Sequence, residues 1–232
     1  MKIGILEADR VDREVIGEFG SYADMFKTLM KEVGDDIDFK VYSVIDEQLP
    51  EDINECDAYM ITGSQYSAYD RYPWIDKLMS LVRLLSERNK KLVGICFGHQ
   101  VIAQALGGEV EKSKNGWGVG VMAANVCEKK PWMQPFNNTF DLLVTHQDQV
   151  VKLPLNTTLL GSNDFCRYSS LLVGENILTF QGHPEFVPGY LVYLLNKRRN
   201  KIDKEKYHNA IDSLGNKTSR NQIATWIYNF IG

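Results

Sequence analysis

No apolar run in these 232 residues approaches the ~20 needed to cross a bilayer as a helix. The opening Met1-Lys2-Ile3-Gly4-Ile5-Leu6-Glu7 meets an acidic residue too early for a secretory leader. The chain is therefore expected to be cytoplasmic, with no membrane partner. The triplets Asn137-Asn138-Thr139 and Asn156-Thr157-Thr158 then carry no glycosylation meaning. A basic excess is also missing. Lys plus Arg number 26 against 30 Asp plus Glu, a formal charge of −4, which argues against a nucleic-acid partner. Cysteine is scarce. Cys56, Cys96, Cys127 and Cys166 stand far apart with no C-x-x-C pair, so neither a zinc site nor a redox pair is indicated. In a reducing compartment, Cys56, Cys127 and Cys166 read as buried thiols. Histidine is scarce as well. Any base working near neutral pH comes from His99, His146, His183 or His208.

What is present is ordinary in bulk and specific in pattern. Apolar residues are 44% and charged residues 24% of the chain, as in globular proteins. Lys2 to Leu6 reads as a buried strand. Tyr22, Met25, Phe26, Leu29, Met30 and Val33 share one helix face, and Gly34 stops that helix. Asp38 to Val44 reads as a strand, and the apolar run Ala58 to Gly63 as a strand ending in a turn at its glycine. Pro73 opens a helix whose apolar face is Trp74, Leu78, Leu81, Val82 and Leu85. Leu92 to Ile95 is a strand, and Val101 to Leu106 a helix. This alternation predicts an α/β fold with a parallel sheet between helices. Strands follow at Val119–Val126, Asp141–Thr145, Thr157–Leu160 and Leu171–Phe180, read as antiparallel additions. Helices are expected around Val187–Leu195 and Ile223–Ile231. The basic stretch Asn196 to Lys206 between them reads as a solvated helix end and linker.

Gly94-Ile95-Cys96-Phe97-Gly98 joins a buried strand to a helix. Small residues on both sides of a nucleophile mark a sharp strand-to-helix turn. Such a turn lifts the side chain above the sheet and aims helix N–H groups at it, which favours a thiolate. The Phe97 N–H then faces a developing oxyanion. His183 follows the strand Ile177–Gln181, on the sheet edge where α/β folds bind ligands. Glu185 lies two positions on, within reach of the second imidazole nitrogen.

These residues together resemble the class I (triad) glutamine amidotransferase family. The likeness rests on Gly94-Ile95-Cys96-Phe97-Gly98-His99-Gln100 and Gln181-Gly182-His183-Pro184-Glu185. It also rests on Thr145-His146-Gln147-Asp148-Gln149-Val150 and Ile61-Thr62-Gly63-Ser64. The nearer likeness is to stand-alone GMP-synthase-like amidotransferases and plant γ-glutamyl peptidases. Two positions depart from the common pattern: Phe97 replaces Leu, and Gly63-Ser64 replaces Gly-Gly.

The resemblance implies a flavodoxin-like three-layer sandwich, mostly parallel at its centre, in one domain over 1–232. Its core would run to about residue 200, with a helical tail over 201–232. It implies Cys96 as nucleophile, His183 as acid–base and Glu185 as its orienter. Phe97, Gly63 and Ser64 would form the oxyanion hole. Gln100 and the segment His146, Gln147, Asp148 would hold a glutamyl group. His99 reads as structural and His208 as solvated. No metal or cofactor is implied. The substrate would be glutamine or another γ-glutamyl compound. After Glu185 come 47 residues, and no phosphate loop of the G-x-x-x-x-G-K-[ST] type occurs. Three readings stay open: a free-standing γ-glutamyl hydrolase or peptidase, a glutaminase subunit serving a partner synthase chain, or a non-catalytic binding protein.

Overall fold

The short inner strands are almost wholly apolar, and their successive side chains point to opposite faces, which sets the layers. In a computed structural model describing residues 1–232, Ile3, Ile5, Met60, Val93 and Ile95 face one core, while Leu6, Tyr59, Ile61 and Leu92 face another. A sheet buried on both faces needs helices on both. In chain order the elements are β1 (Lys2–Glu7), a one-turn α1 (Ile16–Phe19), α2 (Tyr22–Lys31), β2 (Asp38–Ser43), β3 (Ala58–Ile61), α3 (Pro73–Glu87), β4 (Lys91–Ile95) and α4 (Phe97–Ala105). Then come β5 (Glu109–Lys112), β6 (Gly118–Val126), β7 (Thr139–His146), β8 (Asp148–Lys152), β9 (Thr157–Ser162), β10 (Ser170–Val173) and β11 (Ile177–Phe180). Helices α5 (Pro188–Lys197), α6 (Lys204–Ser213) and α7 (Arg220–Ile231) close the chain.

The main sheet runs β2-β1-β3-β4-β11-β10-β9-β6-β7. Its first five strands are parallel and the remainder are added antiparallel. Helices α2 and α7 cover one face; Phe26, Met30, Trp226, Ile227 and Phe230 pack there on β1 and β4. Helices α3 and α4 cover the other through Leu78, Val82, Leu85, Phe97 and Ile102. A third cluster seats Tyr190, Leu191, Leu194 and Leu195 of α5 against Leu143 of β7. Helix α2 starts with a capping box between Ser21 and Asp24, and Pro73 and Pro188 open α3 and α5. No helix is long and apolar enough to cross a membrane.

Four details differ from the sequence reading. The run Leu171–Phe180 is two strands, β10 and β11, because Gly174 takes φ +57° and turns the chain back. Strands β5 and β8 pair with each other in a small second sheet. Their alternation buries only Val110 and Val150, too little to stand out in the sequence. Helix α6 falls within the expected helical tail, but it begins at Lys204, inside the stretch read as linker, and buries only Tyr207 and Ala210. Cys127 is exposed, while Cys56 and Cys166 are buried; it lies just past the end of β6, where the chain leaves the sheet.

Candidate active site

Two strand registers bring the expected residues together. Strand β4 lies between β3 and β11, pairing Ile61 with Gly94 and Phe180 with Ile95. All three are parallel, so their carboxyl ends share one edge, and Cys96 N–H donates to Phe180 O at 2.8 Å. Residues 63, 96 and 183 therefore meet although they are distant in sequence.

At Cys96 the backbone takes φ +54° and ψ −101°, outside the left-handed region that non-glycine residues tolerate. The neighbouring glycines make the turn possible. A Cβ on Gly94 would lie 2.6 Å from Gly98 O, and one on Gly98 would lie 2.5 Å from Ile61 O. Backbone atoms cannot swing aside as a side-chain tip can. Gly98→Ala is expected to lower stability by about 1–3 kcal/mol, read as a drop in the urea midpoint at unchanged slope. A wild-type midpoint would contradict this account of the turn.

The Cys96 sulfur accepts a hydrogen bond from Gln181 Nε2 at 3.6 Å. The buried His183 ring shares a hydrogen bond between its Nδ1 and Glu185 Oε1 at 2.7 Å. It stacks on Phe186 with centroids 3.9 Å apart and planes 8° apart. Gly63 lies against that ring: a Cβ there would be 2.9 Å from His183 Cε1 and 3.7 Å from Cys96 Cβ. The N–H groups of Gly63 and Ser64 make no backbone hydrogen bond. Phe97 is the first residue of α4, where an N–H has no partner within the helix. The Ser64 hydroxyl is turned away, donating to Ala8 O and accepting from Tyr66 N–H.

Cys96 lies in the lining of a cavity of about 350 Å3. Gln100, His146, Gln147 and Asp148 line it too. Gln100 Nε2 is already engaged, donating to Asp148 O at 2.8 Å and to Gln181 Oε1 at 3.1 Å. The Asp148 carboxylate accepts from Ser67 Oγ at 2.5 Å and Tyr69 OH at 3.1 Å. His146 Nδ1 lies 3.0 Å from Asp148 O. His99 is outside this group, buried with Nδ1 2.8 Å from Thr179 Oγ1, and His208 is exposed. Gln181, Ser67 and Tyr69 are not singled out by the sequence. Gln181 had a signal, as it starts the segment that ends in Glu185; Ser67 and Tyr69 had none, because only folding brings their loop to Asp148.

The three buried histidines titrate in opposite directions. Burial pushes His183 down, but the Glu185 carboxylate and the Cys96 sulfur with its hydrogen bond outweigh it and raise the imidazole to about 10. Burial lowers His146 to about 4 and His99 to about 3. A raised histidine stabilises the fold fully below the ordinary value of 6.5 and loses that contribution as pH climbs toward 10. The depressed pair contributes above 6.5 and loses it as pH falls toward 4 and 3. The thermal midpoint is thus expected to peak near pH 6.5, with His183→Gln flattening the alkaline side. A wild-type midpoint still rising between about pH 7 and 9 would refute the His183 assignment.

Comparison with known proteins adds a family. A model described as class-I glutamine amidotransferase matches residues 15–196. Gamma-glutamyl peptidase 3 of Arabidopsis thaliana is 29% identical over 190 residues, covering 78% of this chain and 76% of its own. One subunit of the glutamine-hydrolyzing GMP synthase of Sulfolobus acidocaldarius is 29% identical over 136 residues, 58% of this chain and 70% of its own. Among solved structures, a glutamine amidotransferase from Thermotoga maritima superposes with a TM-score of 0.74 at 16% identity, covering 99% of this chain and 96% of that one.

Proposed function

Because the chain belongs to the class I glutamine amidotransferase family, we propose that it cleaves a γ-glutamyl amide bond through a cysteinyl γ-glutamyl thioester. The observation that carries this reading is the buried His183–Glu185 pair beside a strained Cys96 that itself lines a cavity. Cys96 gives its thiol proton to His183 and its Sγ adds to the γ-carbonyl. The oxyanion lies against the N–H of Phe97 and those of Gly63 and Ser64, groups without backbone partners. Collapse of the tetrahedral species breaks the C–N bond, and the imidazolium of His183 gives its proton to the departing nitrogen. Neutral His183 then takes a proton from water, which attacks the thioester and frees glutamate and the thiol. Glu185 holds the imidazole in the required tautomer and stabilises its charged form. In this reading the whole of 1–232 acts as one domain, since α7 shares the core with β1.

Gln100, His146, Gln147 and Asp148 are assigned to the glutamyl group. The commitments of Gln100 Nε2 narrow its part: it braces the Asp148 carbonyl and leaves Oε1 for a ligand. His146 is neutral at pH 7 and, with Nδ1–H donating to Asp148 O, offers Nε2 as an acceptor.

The favoured form is a free-standing hydrolase or peptidase, supported by the likeness to a γ-glutamyl peptidase. The likeness to one chain of a GMP synthase supports a second form, a glutaminase feeding ammonia to a separate synthase chain. Purified protein supplied with glutamine, glutathione and γ-glutamyl dipeptides separates them. Glutamate released from the peptides and not from glutamine establishes the first. Ammonia from glutamine, raised by an added synthase, establishes the second. Turnover of none of them removes both.

A further inference from the structure

The basic segment does not lie clear of the site. Lys197, Arg198 and Lys201 line the cavity that contains Cys96, together with Arg10 and Lys112. Against these five cations stand three acids, Asp9, Asp12 and Asp148, in a chain of formal charge −4. Positive charge is therefore concentrated at this one concave surface, where low-dielectric walls focus its field.

The pairings locate the surplus. Arg10 is bound to Asp46 and Lys197 to Asp12. Asp9 accepts from the backbone of Arg10 and Gln65, and Asp148 from Ser67 and Tyr69. Lys112, Arg198 and Lys201 make no salt bridge. Of these, Arg198 is the organised one. It is half-buried at the end of α5, and its Nη1 donates to Thr145 Oγ1 at 2.6 Å. Its guanidinium lies 5.3 Å from the Trp117 ring centroid. These contacts orient the guanidinium plane while Nε and Nη2 keep their donors, a fork that matches a carboxylate.

Arg198 also comes from a different wall than the residues assigned to the glutamyl group. Those lie on α4 and the β7–β8 segment, whereas Arg198 closes α5 with Tyr190 and Leu194. A glutamine amide releases ammonia, which offers no anion. A γ-glutamyl peptide releases an amine whose own chain ends in a carboxylate. We propose that Arg198, with Lys112 and Lys201 on the same lining, is a leaving-group subsite for that carboxylate. This rests on the reaction assigned to Cys96 above and adds its substrate class: γ-glutamyl peptides with a free carboxylate on the departing half.

The test compares a γ-glutamyl dipeptide with its C-terminal amide. In wild type, kcat/KM for the acid exceeds that for the amide by about tenfold or more, the size of one charge-assisted hydrogen bond. The ratio falls to near one in Arg198→Gln and is partly restored in Arg198→Lys. Raising salt lowers it in wild type. A wild-type ratio of one, or a ratio that Arg198→Gln leaves intact, overturns the subsite. So does a proportional loss on acid, amide and glutamine together, which would move Arg198 to the glutamyl half. Calorimetric binding of the acid and amide to Cys96→Ala reads the same difference without turnover. Absence of turnover in wild type therefore removes the reaction assigned to Cys96, while the binding difference still decides the subsite.

Discussion

Cys96→Ser is expected to lower γ-glutamyl turnover by a factor on the order of 10⁴ or more while the fold survives. The substitution keeps volume and backbone demands nearly constant, so the strained turn between Gly94 and Gly98 is retained. What it removes is the sulfur nucleophile at a helix start beside a charged imidazole. No other cysteine replaces it. Burial pushes Cys166 up to about 12, Cys56 is buried beside the Tyr42 hydroxyl, and Cys127 is exposed, past the end of β6. The measurement is glutamate release at saturating substrate, with circular dichroism to confirm folding. A γ-glutamyl electrophile should label wild type at Cys96 alone, as read by peptide mass. Wild-type turnover in Cys96→Ser would end the thioester mechanism.

Glu185→Gln is expected to cost about 10²–10⁴ in kcat. The amide is isosteric, but it removes the negative charge that outweighs burial at His183. It can also present an N–H to Nδ1, which would select the wrong tautomer. A pH profile separates this from simple damage. In wild type the alkaline limb of kcat reports loss of the His183 proton, a value raised to about 10. Without the carboxylate, burial dominates and that limb moves to lower pH. Glu185 Oε2 is buried with no partner, so the added amide N–H is left unsatisfied and the thermal midpoint also falls. A lower kcat with an unmoved alkaline limb would mean that Glu185 does not set the state of His183.

The long periodic elements were legible because burial on one face writes a period into the sequence. Helices α2 and α3 follow that rule, while β1 and β4, buried on both faces, show as short unbroken apolar runs. Elements that bury only one or two side chains, such as β5, β8 and α6, leave no such period. The residues 201–232, expected as a tail, bring Ile223, Trp226 and Phe230 into the core beside Ile3 and Phe26. A helical period reveals an apolar face but not what that face covers.

The local geometry around Cys96 and His183 was determined by sequence alone. Glycines around Cys96 and the short spacing from His183 to Glu185 constrain geometry within a few residues, where bond lengths limit the outcome. The tertiary structure decided everything that depends on distant residues meeting. It brings Gln181 to the Cys96 sulfur, Ser67 and Tyr69 to Asp148, and Arg198 from a basic run into the cavity wall. Such contacts depend on strand order and register, which fix through-space neighbours that sequence spacing does not encode.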